Sequence, residues 1–457
     1  MRLRKKLAVI LAALILGSAV MSGCEKGSLP DNKSQTEVSS DESVSSAASE
    51  NTSTGETPAF KEVDETEKIN YGINAFSSEL FKTEYAKSNS ADNVFLSPYS
   101  VYTALSMLNN AAKGSTLNEM NNMLGGNFPN KAVNGNPVSV DGLNTFFKNY
   151  INLPIGDAST FKTANSIWIM QRDNVKIRDS FINTTKECYN AEIFNEPYGD
   201  STVDKINGWV DENTDHMIKK MLSPKSITPD TVSVLLNAVA FDGKWTAPYE
   251  ESDVEKNTFH NADNSESQVD FMYSDEHNYI DDNGKATGFV KTYKGDEDHS
   301  FCFIALLPDE SVGIDKYIEE ELTDEKFKEC FYKSTSGEVH AALPKFKFDT
   351  SYNLNSLADM GIPTAFSPSA DFSGFAESEN GNIYISEVIH KAHVEVDEKG
   401  TKAAASTAII MEDNAMEAEP EYYTVTLDRP FVFAIYDYDN EMPLFIGAVR
   451  ALENSPE

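Results

Sequence analysis

The sequence predicts one large domain of the mixed α+β class, and three observations support this prediction. Apolar residues recur at helical spacing over Ile69–Lys82, which is typical of an amphipathic helix. Two apolar runs, 232–241 and 301–307, are typical of buried strands. Residues 67–457 contain no internal repeat and no second linker, and a chain of this length can bury an ample core.

Residues 1–23 have the features of a secretory signal peptide. Basic residues precede an apolar run from Leu7 to Met21, and small residues follow it. The tetrapeptide Met21–Cys24 is similar to a bacterial lipobox, in which Cys24 would be lipidated and would become the mature N-terminus. The alternative is an ordinary signal peptide, or a retained anchor, with an incidental cysteine. We expect an exported protein that is lipid-anchored at the bacterial cell surface.

Residues 24–66 form an acidic, Ser/Thr-rich segment with almost no large apolar side chains. Such a segment cannot bury enough surface to fold. We therefore predict a disordered tether, whose average reach of about 35–40 Å follows from random-coil statistics. The tether would hold the folded domain, residues 67–457, clear of the cell surface.

The composition argues against an enzyme and against a nucleic-acid-binding protein. The formal net charge of −35 repels phosphate backbones. The sequence contains no Gly-x-Ser-x-Gly, His-Glu-x-x-His or Gly-x-x-x-x-Gly-Lys motif. The acidic cluster 296–299 could bind a cation weakly, but we interpret it as a solvated turn. We predict no catalytic residue, no cofactor and no metal site.

The cysteines do not indicate a disulfide framework. Besides Cys24 the chain has Cys188, Cys302 and Cys330, an odd number without short spacing. Cys302 lies within the apolar run 301–307, so we predict a packed free thiol there.

Two polar residues lie inside predicted strands. Asn237 interrupts the apolar run 232–241, and a buried amide must find hydrogen-bond partners. His390 lies in an apolar strand over 385–393, where a lone histidine is more often a structural residue than a catalytic one. Further upstream, Asn93–Ser97 is predicted to be a short strand that ends at Pro98.

A long connection, residues 398–421, joins the strand that follows His390 to another predicted strand over 425–435. A connection longer than about 12–15 residues inside a domain is usually functional or disordered. Its first half is small and apolar, and its second half is acidic. The alanines favour a short helix over Lys402–Ala408, with Gly400 as the break before it.

An extended conformation would organise the same residues differently. In a strand, one face would carry only uncharged side chains, and Lys402 would point the other way. The residues on that face are Thr401, Ala403, Ala405, Thr407, Ile409 and Met411. The segment is therefore patterned for two conformations, an exposed loop and a buried strand.

The segment Glu398–Thr407 resembles the hinge of the reactive-centre loop of inhibitory serpins. Other segments resemble serpin motifs too, and the matches extend from about residue 69 to 450. They are Asn93–Ser100 with its continuation to Met120, Asn207–Val210, Gly243–Trp245, Thr424–Ile435 and Pro443–Val449. Together with the lipobox, these motifs identify the chain as similar to a bacterial, lipoprotein-type inhibitory serpin.

The resemblance implies a serpin fold with about nine helices and three β-sheets, the largest of which lacks one strand. It also implies functional residues in three groups. The hinge comprises Glu398, Gly400, Thr401, Ala403, Ala404, Ala405 and Thr407. The regions called the shutter and the breach, where the sheet parts, comprise Ser97, Ser100, Asn237, Trp245 and His390, with His390 among the partners of Asn237.

By the same resemblance, the protein would be a monomeric suicide-substrate inhibitor that traps a serine protease. Family spacing places the scissile bond at Asn414–Ala415, with Met411 and Met416 as neighbouring candidates. No Arg or Lys occurs between Lys402 and Arg429, so a trypsin-like pocket has no basic side chain to bind. We expect an elastase-like or subtilisin-like target, with papain-like cysteine proteases second.

Two alternatives belong to other functional classes. One is a non-inhibitory serpin that acts as a binding or storage protein, although its hinge would be expected to carry charged or bulky residues. The other is a lipoprotein substrate-binding receptor, which the tether permits but the C-terminal half does not support.

Overall fold

The structure is a computed structural model, and it describes residues 64–132, 135–151, 159–171, 175–197, 199–228, 231–295, 300–379, 382–401 and 422–456. The predicted signal peptide, Cys24 and the tether up to residue 63 lie outside the described residues. So do residues 402–421, which include the rest of the predicted hinge and the predicted scissile bond.

Eight α-helices lie within the described residues. They are α1 (Glu65–Lys87), α2 (Pro98–Asn109), α3 (Gly114–Leu124), α4 (Val140–Ile151), α5 (Asp179–Tyr189), α6 (Asp200–Asn213), α7 (Ile314–Lys316) and α8 (Lys326–Lys333). The predicted opening helix is confirmed as α1, whose first turn is capped by Asp64. None of these helices combines the length and apolarity needed to cross a membrane.

Pro98 begins a helix as well as ending a strand. The predicted strand before it is β1 (Val94–Leu96), and α2 starts at Pro98 itself. Proline is favoured at the first helical position because its missing N–H would have no partner there. Ser97 is the N-cap, and its side chain accepts a hydrogen bond from the backbone N–H of Ser100.

The remaining strands complete three sheets. They are β2 (Ser159–Met170), β3 (Val175–Ile177), β4 (Glu192–Glu196), β5 (Ser233–Lys244), β6 (Val254–His260), β7 (Glu266–Asp281), β8 (Ala286–Thr292), β9 (Phe301–Pro308), β10 (Thr335–Pro344), β11 (Phe346–Asn353), β12 (Ala376–Ser378), β13 (Ile389–Asp397), β14 (Gly400–Thr401), β15 (Tyr422–Thr426), β16 (Phe431–Asp437) and β17 (Met442–Val449). The predicted buried strands are β5 and β9, so the mixed α+β class is confirmed.

The three sheets differ in size. A nine-stranded sheet has the order β1-β17-β16-β9-β8-β7-β10-β15, with β6 paired to β7 off this path. A six-stranded sheet has the order β11-β13-β14-β5-β2-β4, and β12 pairs with β3. The start of the long loop enters the six-stranded sheet as β14.

Two predicted strand boundaries also change. The strand around His390 begins at Ile389 rather than at residue 385. The strand predicted over 425–435 is divided into β15 and β16. The break lies at residues 427–430, where Pro430 has no N–H to donate to a ladder.

The core lies between the helices and the two large sheets. Phe95 of β1 stacks on Phe433 of β16 and on Phe445 of β17, with ring centroids 5.7 and 5.3 Å apart. Cys302 is buried in β9 as a free thiol, as predicted. Cys188 and Cys330 are also free, so these three described cysteines form no disulfide.

Candidate functional site

The hinge of the long loop is already a strand of the six-stranded sheet. Gly400 and Thr401 pair antiparallel with Asp397 and Val396 of β13 on one side. On the other side they pair antiparallel with β5, where Gly243 lies opposite Thr401. Within the described residues, no ladder joins β5 directly to β13. The chain therefore enters the sheet at one end of the boundary between these two strands.

A tight turn directs the chain into this position. The Asp397 carboxylate accepts hydrogen bonds from the backbone N–H groups of Lys399 and Gly400, at 2.8 and 3.2 Å. Gly400 has a φ of 153°, and a Cβ atom there would overlap the carbonyl oxygen of Gly243. Only glycine allows the two backbones to approach this closely, so the sequence break predicted at Gly400 is a requirement of the strand pairing.

Thr401 points into the protein. Its side chain is buried, and its Oγ1 lies 2.7 Å from the hydroxyl of Tyr293, which directly follows β8. Burial raises the pKa of Tyr293, so this hydroxyl stays protonated and available for hydrogen bonding. The first hinge residue with an inward side chain is thus held by a specific buried partner.

An aromatic wall supports this hydrogen bond. The Trp245 ring stacks on the Tyr293 ring, with centroids 4.4 Å apart and planes 12° apart. The Trp245 Nε1–H donates to the carbonyl of Asp397 at 3.0 Å, and the Trp245 backbone N–H donates to the carbonyl of Lys399. Trp245, predicted as a breach residue, therefore contacts the turn that leads into the hinge.

An ion pair holds the start of the loop. The Lys345 Nζ lies 2.6 Å from a carboxylate oxygen of Glu398. Partial burial favours the neutral carboxyl, but the hydrogen bond to Lys345, a backbone hydrogen bond and the charges of Lys345 and Lys399 together outweigh burial and lower the pKa of Glu398. The backbone carbonyl of Glu398 also accepts from the N–H of Tyr249 at 2.9 Å. Side chain and backbone thus fix Glu398 beside the sheet.

A buried lysine lies behind the aromatic wall. The Lys291 Nζ is 2.6 Å from a carboxylate oxygen of Glu276, and it lies 4.3 Å from the ring centroid of Tyr249. A buried ammonium group is stable only when it is paired in this way. Lys291, Tyr249 and Tyr293 were not predicted from the sequence, because they lie far from the loop in sequence and belong to no short motif.

A second cluster lies further along the same boundary, at the N-terminus of α2. The backbone N–H of Ser97 donates to Nε2 of His390 on β13, at 3.0 Å. The hydroxyl of Ser100 donates to the carbonyl of Asn237 on β5, at 3.2 Å. Ser97 and Ser100, at the N-terminus of one helix, thus contact strands on opposite sides of the boundary.

His390 is fully buried and carries no charge at neutral pH. Burial lowers its pKa to about 4. Protonation would also remove the lone pair that accepts from Ser97. His390 therefore has the character of a structural hydrogen-bond acceptor, as its position in an apolar strand suggested.

The partners of Asn237 differ from our expectation. Its Nδ2 donates to Oδ1 of Asn165 on β2 at 2.8 Å, and His390 is not among its partners. The reason is geometric, since the two residues lie on β5 and β13, and no ladder joins these strands directly within the described residues. Within the described part of the chain, the buried Oδ1 of Asn237 has no hydrogen-bond partner.

The predicted site residues that the structure describes thus form two groups along the boundary between β5 and β13. Glu398, Gly400 and Thr401 lie with Trp245 at one end, and the Ser97, Ser100, Asn237 and His390 group lies beyond it. A narrow cavity lined by Thr401 and by residues of both strands lies between them. The remaining site residues lie outside the described residues: Ala403, Ala404, Ala405, Thr407, Met411, Asn414, Ala415 and Met416.

The comparisons with known proteins agree with one another. The profile of a family described as "Serpin (serine protease inhibitor)" matches residues 71–452. A serpin-like protein of Thermococcus kodakarensis is 32% identical over 396 residues, which are 85% of this chain and 86% of that protein.

Solved structures give the same result. The thermophilic serpin tengpin in its native state is 37% identical with a TM-score of 0.74, and the match covers 86% of this chain and 96% of tengpin. Human thyroxine-binding globulin, solved with its hormone, has a TM-score of 0.72 over 85% of this chain and 100% of the globulin. Because that globulin is only 24% identical, its likeness is one of fold.

Proposed function

This chain belongs to the serpin family, and from that premise we propose that it is a suicide-substrate inhibitor of a serine protease. The observation that carries the proposal is β14. Gly400 and Thr401 are paired with both β5 and β13. The N-terminal end of the loop is thus already part of the sheet, and a longer strand can extend from it. A strand that grows between two others gains hydrogen bonds on both edges.

The register of β14 defines where that strand would lie. Continued at the same antiparallel offset, residues 402–408 would pair with β13 as far as Ile389, and residues 402–411 would pair with β5 as far as Ser233. The small, uncharged residues on one face of the loop would then point inward with Thr401. Their neighbours on β13 are the buried Val394, Ala392 and His390.

One position in this register is informative. Thr407 would lie opposite both His390 and Asn237. A threonine hydroxyl there can donate to the Asn237 Oδ1, which has no partner among the described residues. The loop thus carries a small polar residue at the position where the inserted strand would meet the polar cluster.

Cleavage of the loop would start the insertion. A protease attacks the exposed loop and forms an acyl-enzyme, and the cut frees the hinge side to enter the sheet. An inserted strand from Thr401 to Asn414 would span roughly 45 Å at about 3.3 Å per residue, enough to carry the bound protease to the other end of the sheet. Inhibition is then a race between insertion and deacylation. The hydrogen bonds from Ser97 to β13 and from Ser100 to β5 must rearrange when the new strand enters between these two strands.

The target follows from the loop sequence. We assign the scissile bond to Asn414–Ala415, with Met411 and Met416 as the outer candidates. The absence of Arg and Lys over residues 403–428 disfavours trypsin-like enzymes. Small and medium uncharged residues suit the shallow apolar pockets of elastase-like and subtilisin-like proteases. The carboxylates around the bond favour enzymes with basic rims, and this attraction weakens as salt rises.

The anchor completes the proposal. The lipobox at Met21–Cys24 supports export and lipidation of Cys24, with residues 25–66 as a tether between the membrane and the inhibitor. Cys24→Ala would prevent lipidation, so the variant protein should no longer partition with membranes in detergent extraction. Unchanged partitioning would contradict the lipid anchor while leaving the inhibitory function untouched.

One experiment tests the inhibitory function. The mature protein is mixed with a panel of elastase-like, subtilisin-like, papain-like and trypsin-like proteases, and complexes that survive denaturant are resolved by electrophoresis. We expect a stable complex with a protease of the first two classes, and a C-terminal fragment whose mass locates the cut within 411–416. Cleavage without any complex would favour a non-inhibitory binding protein of the serpin fold. Rapid trapping of trypsin would overturn the assignment of the target.

A further inference from the structure

Three side chains of metal-ligating type meet on the nine-stranded sheet. His340 of β10 lies directly opposite Asp275 of β7 in the antiparallel ladder. Glu338 lies two residues before His340 on β10. One nitrogen or oxygen atom from each of the three lies within 4.8 Å of the others. No metal site was predicted from the sequence, because these residues belong to no short motif and only the fold brings them together.

The local backbone is irregular where Glu338 joins the group. Ser336 pairs with Asn278 and Val339 pairs with Glu276, so the ladder shifts register between them. This shift is a β-bulge in which two residues of β10, Gly337 and Glu338, oppose one residue of β7. Bulges re-aim side chains and are common beside functional sites.

We propose that Asp275, Glu338 and His340 bind one divalent cation of the zinc class. Ligand atoms about 2.1 Å from such an ion are about 3.0–3.4 Å from each other in octahedral or tetrahedral sites. The three candidate ligand atoms lie within 4.8 Å of one another, so side-chain rotation would bring them into this range. One imidazole and two carboxylates form a three-ligand set, and water completes the coordination.

The charges favour a cation at this place. Asp275 and His340 are already 2.6 Å apart and pair with each other, and Glu338 has no ion-pair partner among the described residues. Two carboxylates balance the charge of a divalent ion, and the chain as a whole carries a net charge of −35. The imidazole selects zinc-class ions over Mg²⁺ and Ca²⁺, which prefer oxygen ligands.

The site adjoins the end of the reactive loop. β15 begins at Tyr422, the first described residue after the loop, and Tyr422 pairs with Glu338. The ring of Tyr422 also stacks on the His340 ring, with centroids 6.0 Å apart and planes 13° apart. A bound ion would join β7 to β10 beside β15, the strand that follows the loop. It would also stabilise the folded chain by mass action.

Calorimetric titration of ZnCl₂ into the chelator-treated, tag-free mature protein tests the site. We expect one ion per chain, and we expect His340→Ala to weaken binding by at least about 10-fold, because even the loss of a residue that only orients a metal ligand costs about 10–100-fold. Glu338→Gln, which preserves the side-chain shape, should weaken binding in the same direction. A parallel titration with MgCl₂ should give no comparable binding.

The control is a second exposed histidine–carboxylate pair. His216 lies 2.8 Å from Asp211, and the metal-ligating group does not include this pair. His216→Ala should leave zinc binding unchanged. The proposal fails if the wild-type protein binds no zinc up to about 1 mM. It also fails if His340→Ala binds as tightly as the wild type, or if His216→Ala loses affinity equally. None of these outcomes depends on protease inhibition.

Discussion

The hydroxyls of Thr401 and Tyr293 lie 2.7 Å apart in a fully buried environment. This hydrogen bond joins the first inward-facing residue of the loop to the region directly after β8. It therefore connects the two large sheets at the point where the loop enters. The hinge is held by a polar contact as well as by its strand pairing.

A double-mutant cycle measures this contact. Tyr293→Phe and Thr401→Val each leave one buried hydroxyl without its partner, so each should lower the free energy of unfolding by about 1 kcal/mol. The double variant should lose less than the sum, with a coupling energy of about 1 kcal/mol. Urea unfolding gives these values. The control is Tyr384→Phe at an exposed tyrosine, which should change stability little. Strict additivity would show that the two hydroxyls do not interact.

A charge at Thr401 should turn the inhibitor into a substrate. Thr401→Arg buries an unpaired guanidinium beside Tyr293 and so opposes strand insertion. We expect the protease to cleave the variant and escape, so the ratio of stable complex to cleaved chain falls sharply. Lys402→Arg is the matched control, because in an extended strand the neighbouring side chain would point to the opposite face, and residue 402 is already charged. Undiminished complex yield with Thr401→Arg would refute this role of the hinge.

The alternation of inward-facing and outward-facing side chains should continue along the inserted loop. Thr407→Arg places its charge opposite His390 and Asn237 in the register extended from β14, so it should also reduce complex yield. In the same extended strand Ser406→Arg would point to the other face, so this variant should trap protease nearly as well as the wild type. Electrophoresis of the complexes measures both variants. Equal behaviour of the two variants would mean that the loop does not insert in this register.

The serpin fold could be predicted from the sequence and is confirmed, because its motifs are local. Gly400 and the alternating uncharged side chains after it stand in one short segment of sequence. Trp245 belongs to another short motif, which directly follows an apolar run. The supports of the hinge could not be predicted in this way. Lys291 and Tyr293 reach the site only because β8 and β9 fold beneath it, and the partner of Asn237 depends on which strands are neighbours.

Acid should destabilise the folded protein through His390. The pKa of an unfolded histidine is about 6.5, and burial lowers the folded value to about 4. Because the folded state resists protonation, the contribution of His390 is fully present above about pH 6.5 and declines as the pH falls toward 4. The full loss is about 3 kcal/mol.

Comparison with His390→Gln isolates this contribution. The difference in unfolding free energy between wild type and variant should shrink by about 2–3 kcal/mol from pH 7 to pH 4.5, because carboxylates contribute equally to both proteins. His393, which lies on the same strand next to Asp349, provides the control through His393→Gln. A difference between wild type and His390→Gln that is independent of pH would mean that His390 is not held neutral by burial.

Cleavage of the loop should raise the melting temperature. In the described residues β5 and β13 are joined only through the two residues of β14, so much of their facing edges awaits a partner. A cut releases the loop to complete ladders on both edges and to bury its uncharged face. These gains should raise the midpoint of thermal unfolding by at least about 10 °C. Calorimetry of the intact protein and of the chain cut within 411–416 measures the change.

Thr401→Arg cut at the same bond should gain much less, because its hinge resists entry into the sheet. Equal melting of the cut and intact wild type would favour a non-inhibitory member of the family.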